Sequence, residues 1–324
     1  MINLSLIGYG NIAKSHIETF NSLGAKVVAS CNRSKKNRIL AKTESGINKT
    51  YSSIRKMLEN ELCDGIICCV SYDQIYSVAK QIIPYKIPIL LEKPPGTSYN
   101  EFRELYNLCN KYKTPVMIGL NRRYYSVINN AIKHMGGMNK IKSIDIFWSE
   151  DPEKWFSRGM TYDQVRKLIY ANSIHGIDLM CYLSQEKDFN NVDVQVEIIS
   201  KDKCKWIIGF CFKNKNGKII NYKSTWGIPG GWRLELCSSN NRYVFEPLEK
   251  CSMYDKKLDI SSEKYDQKYK PGFIEQSEAF LSICKHKDET YSRSTITDID
   301  STMKLLSKLE KQIDYEINNK YKIS

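Results

Sequence analysis

The sequence predicts an α/β protein of two domains: an N-terminal doubly wound parallel sheet, then an α+β domain with an open, mostly antiparallel sheet. Three observations carry that reading. Over roughly the first 125 residues, short apolar runs alternate with longer amphipathic stretches, the pattern of a parallel sheet covered by helices on both faces. A glycine-rich turn at Gly8–Gly10 joins the first run to the first amphipathic stretch. From Val192 to Leu258 apolar and polar residues alternate with the period of half-buried strands. At 324 residues the chain also exceeds the roughly 250–300 at which single cores stop growing, so one boundary is expected, giving domains 1–121 and 122–324.

Taken in order, the first domain reads as strands INLSLIG, AKVVASCN, KTY, CDGIICCVS, IPILLEK and PVMIGLN, with helical stretches between them. Ser98 followed by Glu101 predicts a capping box, and Gly24 and Gly46 stand where helices stop. Beyond Arg123 come a helix near Asn129–His134, a strand IKSIDIFWS, a loop DPEKWFSRG and one long helix from about Tyr162 to Leu183. NKNGK predicts a hairpin turn, IPGGW a break, and two helices close the chain before a polar tail, NNKYKIS, expected to fray.

Composition narrows the function classes. A hydrophobic share of 42% and a charged share of 26% are those of a globular protein, and no apolar stretch approaches the roughly 20 residues that span a bilayer. The N-terminus runs straight into a strand, so no secretory leader is expected. Eleven cysteines, scattered and without CxxC spacing, suit reduced thiols in a cytoplasmic protein, and no metal site is expected. The formal charge of +13 would raise the local concentration of anionic ligands, though its sign alone cannot choose among them and a solvated basic surface is the plainer reading. Its lysines are spread along the chain and no nucleic-acid-binding motif occurs, so neither nucleic acid nor membrane is an expected partner.

Gly8-Tyr9-Gly10-Asn11-Ile12-Ala13 follows the first strand and opens the first helix, the setting the dinucleotide fingerprint of a Rossmann domain requires. Gly8 permits the tight turn, Gly10 lets the backbone approach a pyrophosphate, and the amides of Asn11 and Ile12 bind it. After the second strand, where an acid commonly holds the ribose of NAD, the chain has Asn32, Arg33 and Ser34. These groups can donate to a 2′-phosphate, which favours NADP over NAD; the alternative is a basic helix start with Asn32 holding a plain ribose.

With Leu91-Glu92-Lys93-Pro94-Pro95 at the end of the fifth strand, the fingerprint resembles the Gfo/Idh/MocA oxidoreductases, a family named for glucose-fructose oxidoreductase and inositol dehydrogenase. The resemblance runs on through GLNRRYY at Gly119–Tyr125, SIHGIDLMCYL at Ser173–Leu183 and PGFIEQSEAF near the C-terminus. It implies a catalytic centre of Lys93 and His175, with Asp178 secondary, Glu92 and Ser71 beside the cofactor, and Arg122 at the crossover. It also implies a cis peptide before Pro94 and a homo-oligomer, dimer or tetramer, built on the open sheet. The implied activity is NAD(P)-dependent hydride transfer to or from a hydroxyl or keto carbon of a sugar, nucleotide-sugar or polyol, of the kind used in surface-glycan or unusual-sugar synthesis. Chemistry agrees, since a histidine suits the proton transfer and a lysine at a parallel strand end suits the developing alkoxide.

One departure matters: relatives carry an aspartate four residues before the histidine, and here that position is Ala171. Two other readings therefore stay open, transient oxidation by a retained nucleotide, as in epimerases or glycosidase-like members, and a non-catalytic dinucleotide sensor. Trp155, Tyr162 and Trp232 are candidate sugar-stacking or lid residues, with core packing as the alternative.

Overall fold

The computed structural model describes residues 1–254 and 258–321. Its first unit comprises Met1–Tyr124 together with Lys264–Ile299, and its second Tyr125–Glu263 with Asp300–Ser324. The change of unit at Tyr124 lies three residues from the expected boundary, but a single boundary does not hold. The segment Lys264–Ile299 returns to the first unit, because its apolar side chains cover helices there that would otherwise be bare.

The first unit runs β1 (Asn3–Ile7), α1 (Asn11–Ser22), β2 (Lys26–Cys31), α2 (Lys35–Ser45), β3 (Lys49–Tyr51), α3 (Ile54–Asn60), β4 (Gly65–Cys68), α4 (Ile75–Ile82), β5 (Ile89–Leu91), α5 (Tyr99–Tyr112) and β6 (Val116–Ile118). The strands lie in the order β3-β2-β1-β4-β5-β6, every pair parallel. The order reverses between β1 and β4, and ligands of such sheets bind at the strands' carboxyl ends beside that reversal. Strands buried on both faces read as unbroken apolar runs, as β4 and β5 do.

Ser34, Ser53 and Ser98 cap α2, α3 and α5, each accepting from the backbone three residues on. Only half of the expected box at Ser98 forms, because Glu101 Oε2 accepts instead from Thr97 N at 2.7 Å. From the returning segment, α12 (Phe273–His286) packs on α1, with Phe280 edge-on to Phe20 at 6.0 Å and Phe273 stacked on His16 at 4.6 Å. Met117 bridges Thr295, and Ile118 N donates to Ser294 O at 2.7 Å, so the same segment covers the edge of β6.

The second unit holds α6 (Ser126–Met135), β7 (Ser143–Glu150), α7 (Pro152–Phe156), α8 (Tyr162–Arg166), α9 (Leu168–Ala171) and α10 (Ile174–Ser184). β8 (Gln195–Ser200), β9 (Lys205–Lys213), β10 (Ile219–Trp226), β11 (Trp232–Cys237), β12 (Arg242–Phe245), β13 (Cys251–Tyr254) and β14 (Leu258–Ile260) follow. α11 (Lys264–Lys268) lies in the returning segment, and α13 (Asp300–Tyr321) ends the second unit. The sheet order is β14-β13-β12-β11-β7-β10-β9-β8, and only β7 and β10 pair in parallel.

β7 alternates strictly, burying Ile144, Ile146, Trp148 and Glu150. The predicted long helix over 162–183 is three short ones, since Asn172 and Ser173 turn their side chains to Glu150 rather than along the helix. The turn after β9 is tied by Asn214 Oδ1, which accepts from the amides of Asn216 and Lys218. The tail stays helical to Tyr321, and its last three residues lie outside the described ones.

Candidate active site

The bend after β1 has a shape only glycine tolerates at its first position. Gly8 sits at φ +88°, and a Cβ there would lie 2.8 Å from backbone atoms of Cys69 and Val70. Gly10 is the opposite case: a Cβ would meet nothing within 4 Å. It caps α1 without a side-chain hydrogen bond, so the first amides of the helix, from Asn11 and Ile12, face open space. Next to this bend, Asn32 is buried; its Oδ1 accepts from Tyr9 N at 2.5 Å, while its Nδ2 has no hydrogen-bond partner. A glycine-lined approach, uncapped amides and an orphaned buried donor fit a dinucleotide's diphosphate and ribose.

Arg33 is exposed, and its guanidinium donates to Gln74 Oε1 at 2.5 Å. Ser34 spends its oxygen as the cap of α2. Arg38 was not singled out from the sequence; its Nη1 donates to the carbonyls of both Asn32 and Arg33 at 2.7 Å and so fixes the loop that would select the cofactor. Ser71 is exposed after β4, whereas Tyr76 leaves that loop for the surface of α5, bonding Glu104.

Lys93 follows β5, with a cis peptide to Pro94. Glu92, expected as a cofactor contact, is buried. Its Oε1 meets His16 Nε2 at 2.8 Å, and its Oε2 accepts from Lys93 N at 3.3 Å. Gly119 makes room for that carboxylate, since a Cβ there would stand 3.0 Å from Oε1. Burial alone would raise the Glu92 carboxyl, but the His16 hydrogen bond and the charges of His16, Lys93 and Lys270 hold it below its ordinary value.

Lys270, just before α12, is a further cation that the sequence reading missed. Its amine lies 5.0 Å from the ring centre of Phe273. Loss of water around that amine, with Arg122 nearby, lowers its pKa, although the residue as a whole is exposed. No motif marks this lysine; only the chain's return brings it to Glu92 and Arg122. Asn121 Nδ2 donates to Pro271 O at 3.0 Å, tying the returning segment to the buried residues Asn121–Tyr124.

In the second unit, His175 and Asp178 lie one turn apart on α10, both buried. Asp178 Oδ1 accepts from Thr302 Oγ1 at 3.0 Å, a tie to α13. The acid that the sequence reading missed is Glu150. Its Oε1 accepts from Trp148 Nε1 at 2.9 Å and Ser173 Oγ at 3.2 Å, and its Oε2 from Asn172 Nδ2 at 3.3 Å. An acid on the apolar face of an alternating strand was the legible signal. Trp232 stacks on Trp148 at 4.6 Å and is 38% exposed, while Trp155 and Tyr162 sit on α7 and α8.

A hollow of about 1000 Å³ lies elsewhere, on the outer sheet face among Asp145, Phe147, Asn221, Lys223 and Arg233. It contains neither Lys93 nor His175 nor the Gly8–Gly10 bend, so the candidate site is assigned from chemistry rather than from concavity. Among the described residues no cluster of His, Cys, Asp and Glu could hold a metal ion, and no helix is long and apolar enough to cross a membrane.

The first unit therefore defines the class, a dinucleotide-binding Rossmann fold with a cationic strand-end site. Residues 2–120 match the sequence profile of the oxidoreductase family with an NAD-binding Rossmann fold, Gfo/Idh/MocA. The rhizopine catabolism protein MocA of Rhizobium meliloti is 26% identical over 121 residues, which are 37% of this chain and 38% of that protein's length. A dehydrogenase from Chromobacterium violaceum superposes with a TM-score of 0.82 at 13% identity, covering 100% of this chain and 99% of its own. UDP-N-acetylglucosamine 3-dehydrogenase from Acidithiobacillus ferrooxidans gives 0.74 at 13%, covering 95% and 96%. At such identities these likenesses show the shared fold.

Proposed function

We propose that the protein is a cytoplasmic NADP- or NAD-linked dehydrogenase or reductase acting on a hydroxyl or keto carbon of a sugar, nucleotide-sugar or polyol. The observation that carries the reading is the orphaned Asn32 amide beside the open Gly10 bend, on the same sheet whose fifth strand ends in Lys93. The amides of Asn11 and Ile12 would hold the diphosphate, Asn32 a ribose hydroxyl or its phosphate, and Arg33 the charge of a 2′-phosphate. A bound nicotinamide supplies hydride exchange at the reacting carbon. Lys93 donates a hydrogen bond to the reacting oxygen and lowers its pKa, and His175 takes the hydroxyl proton, or returns it in the reducing direction.

A nucleotide-sugar is supported by the chain's net charge of +13 and by the fold it shares with the UDP-N-acetylglucosamine dehydrogenase. For the homo-oligomer, we take the outer face of the eight-stranded sheet as the contact, because alternate residues there, Asp145 and Phe147 among them, remain partly open. Light scattering of the purified protein at several concentrations reads its mass.

Absorbance at the reduced-nicotinamide band, during incubation with candidate sugars and nucleotide-sugars, tests the activity. Net change is expected. Product without net change would move the reaction to transient oxidation, and binding without product to a sensor.

A further inference from the structure

We propose that Glu150 is the positioning carboxylate for His175, filling from β7 the role that Ala171 leaves vacant on the helix. The proposal rests on the reaction assigned above to His175. Its geometry lies wholly within the second unit.

Strand alternation turns Glu150 to the buried face behind Ile144, Ile146 and Trp148, where it is 6% exposed. A carboxylate is costly there unless donors surround it, and three do: the indole of Trp148, the hydroxyl of Ser173 and the amide of Asn172. Two of the three come from the residues leading into α10. The His175 amide in turn donates to Asn172 O at 3.2 Å, so the turn that presents the imidazole is the turn the carboxylate grips. Asn172 closes α9 and Ser173 caps α10, so both anchors sit at the break from which His175 enters its helix. Gly176 lets the helix settle this close; a Cβ there would stand 2.7 Å from the Trp148 ring, whose NH bonds Glu150.

A negative charge held by Asn172 and Ser173, at the start of the turn that carries His175, favours the imidazolium that forms when His175 accepts the hydroxyl proton. Nothing is transferred to Glu150; it orients and stabilises. The other ionisable groups on elements packed against α10 are less suited. Tyr222 of β10 is a phenol pushed up first by burial and then by Glu150 itself. Lys218 donates to Leu183 O at the far end of the helix, Tyr170 of α9 is bonded to Glu310 of α13, and Asp178 is engaged by Thr302.

The test follows the imidazole of His175 by NMR in protein labelled at its four histidines, with H175N giving the assignment. In the unmodified protein His175 should titrate at or above the ordinary value of about 6.5 despite its burial; a lower midpoint overturns the proposal, and this arm needs no variant at position 150. Glu150→Gln should lower the midpoint by about one pH unit and Glu150→Asp by much less, with Asp178→Asn as the control. A Glu150→Gln midpoint unchanged from the unmodified protein overturns it. Because this readout needs no turnover, an inactive protein with the expected titration would count against the assigned reaction and not against the pair. In the active enzyme, Glu150→Gln should cut kcat about 10- to 100-fold, leave KM within about threefold and move the acidic limb of the pH profile down with the NMR midpoint.

Discussion

His16 and Glu92 meet at 2.8 Å inside the first unit, both residues buried. Breaking the pair strands an acid in the core. His16→Ala should cost about 2–3 kcal/mol in a denaturant titration. Since the folded Glu92 carboxyl lies below its ordinary 4.5, its contribution is complete above that value and is lost as the pH falls through the folded one. Glu92→Gln should therefore flatten the loss of stability on acidification; an unchanged acid limb would show that the pair carries no linkage.

Gly8 and Gly10 should separate stability from binding. Gly8→Ala drives a Cβ into the backbone of Cys69 and Val70 at positive φ and should destabilise by about 2–4 kcal/mol. Gly10→Ala meets only open space, so its melting temperature should stay near that of the parent while dinucleotide affinity falls at least about tenfold. Calorimetry of both variants, with and without cofactor, reads the two effects apart.

Lys93→Ala should leave cofactor affinity within a few-fold and lower kcat by about 10²–10⁴. Steady-state kinetics beside a fluorescence titration of the reduced cofactor would check this, and normal turnover would remove the lysine from the chemistry.

Arg33→Asp should shift preference toward NAD, weakening NADP by about 10- to 100-fold and NAD by little. Gln74→Ala should have a smaller effect of the same sense, since Gln74 holds the guanidinium. Equal losses for both cofactors would mean that Arg33 only stabilises the loop.

What could be read from the chain was local. Gly8, Gly10 and the runs Asn3–Ile7 and Gly65–Cys68 announce the parallel sheet because burial on both faces leaves an unbroken apolar signature. Lys270 and Phe273 could not be placed, because their partners lie some 150 to 250 positions earlier, and no periodicity reports pairing across such a distance. His16 was legible in principle, as a polar residue on the buried stripe Ala13, Ile17 and Phe20. Glu150 was legible in the same way on β7, and both are groups whose partners sit on another element.

The return of Lys264–Ile299 bears on how the protein is made. A ribosome releases β1 to β6 long before it reaches Phe273 and Phe280, so His16 and Phe20 must wait, uncovered, until those residues have been made. An excised nucleotide-binding half would keep that apolar strip exposed for good, and expression of residues 1–124 alone should yield aggregate where the full chain yields dispersed protein.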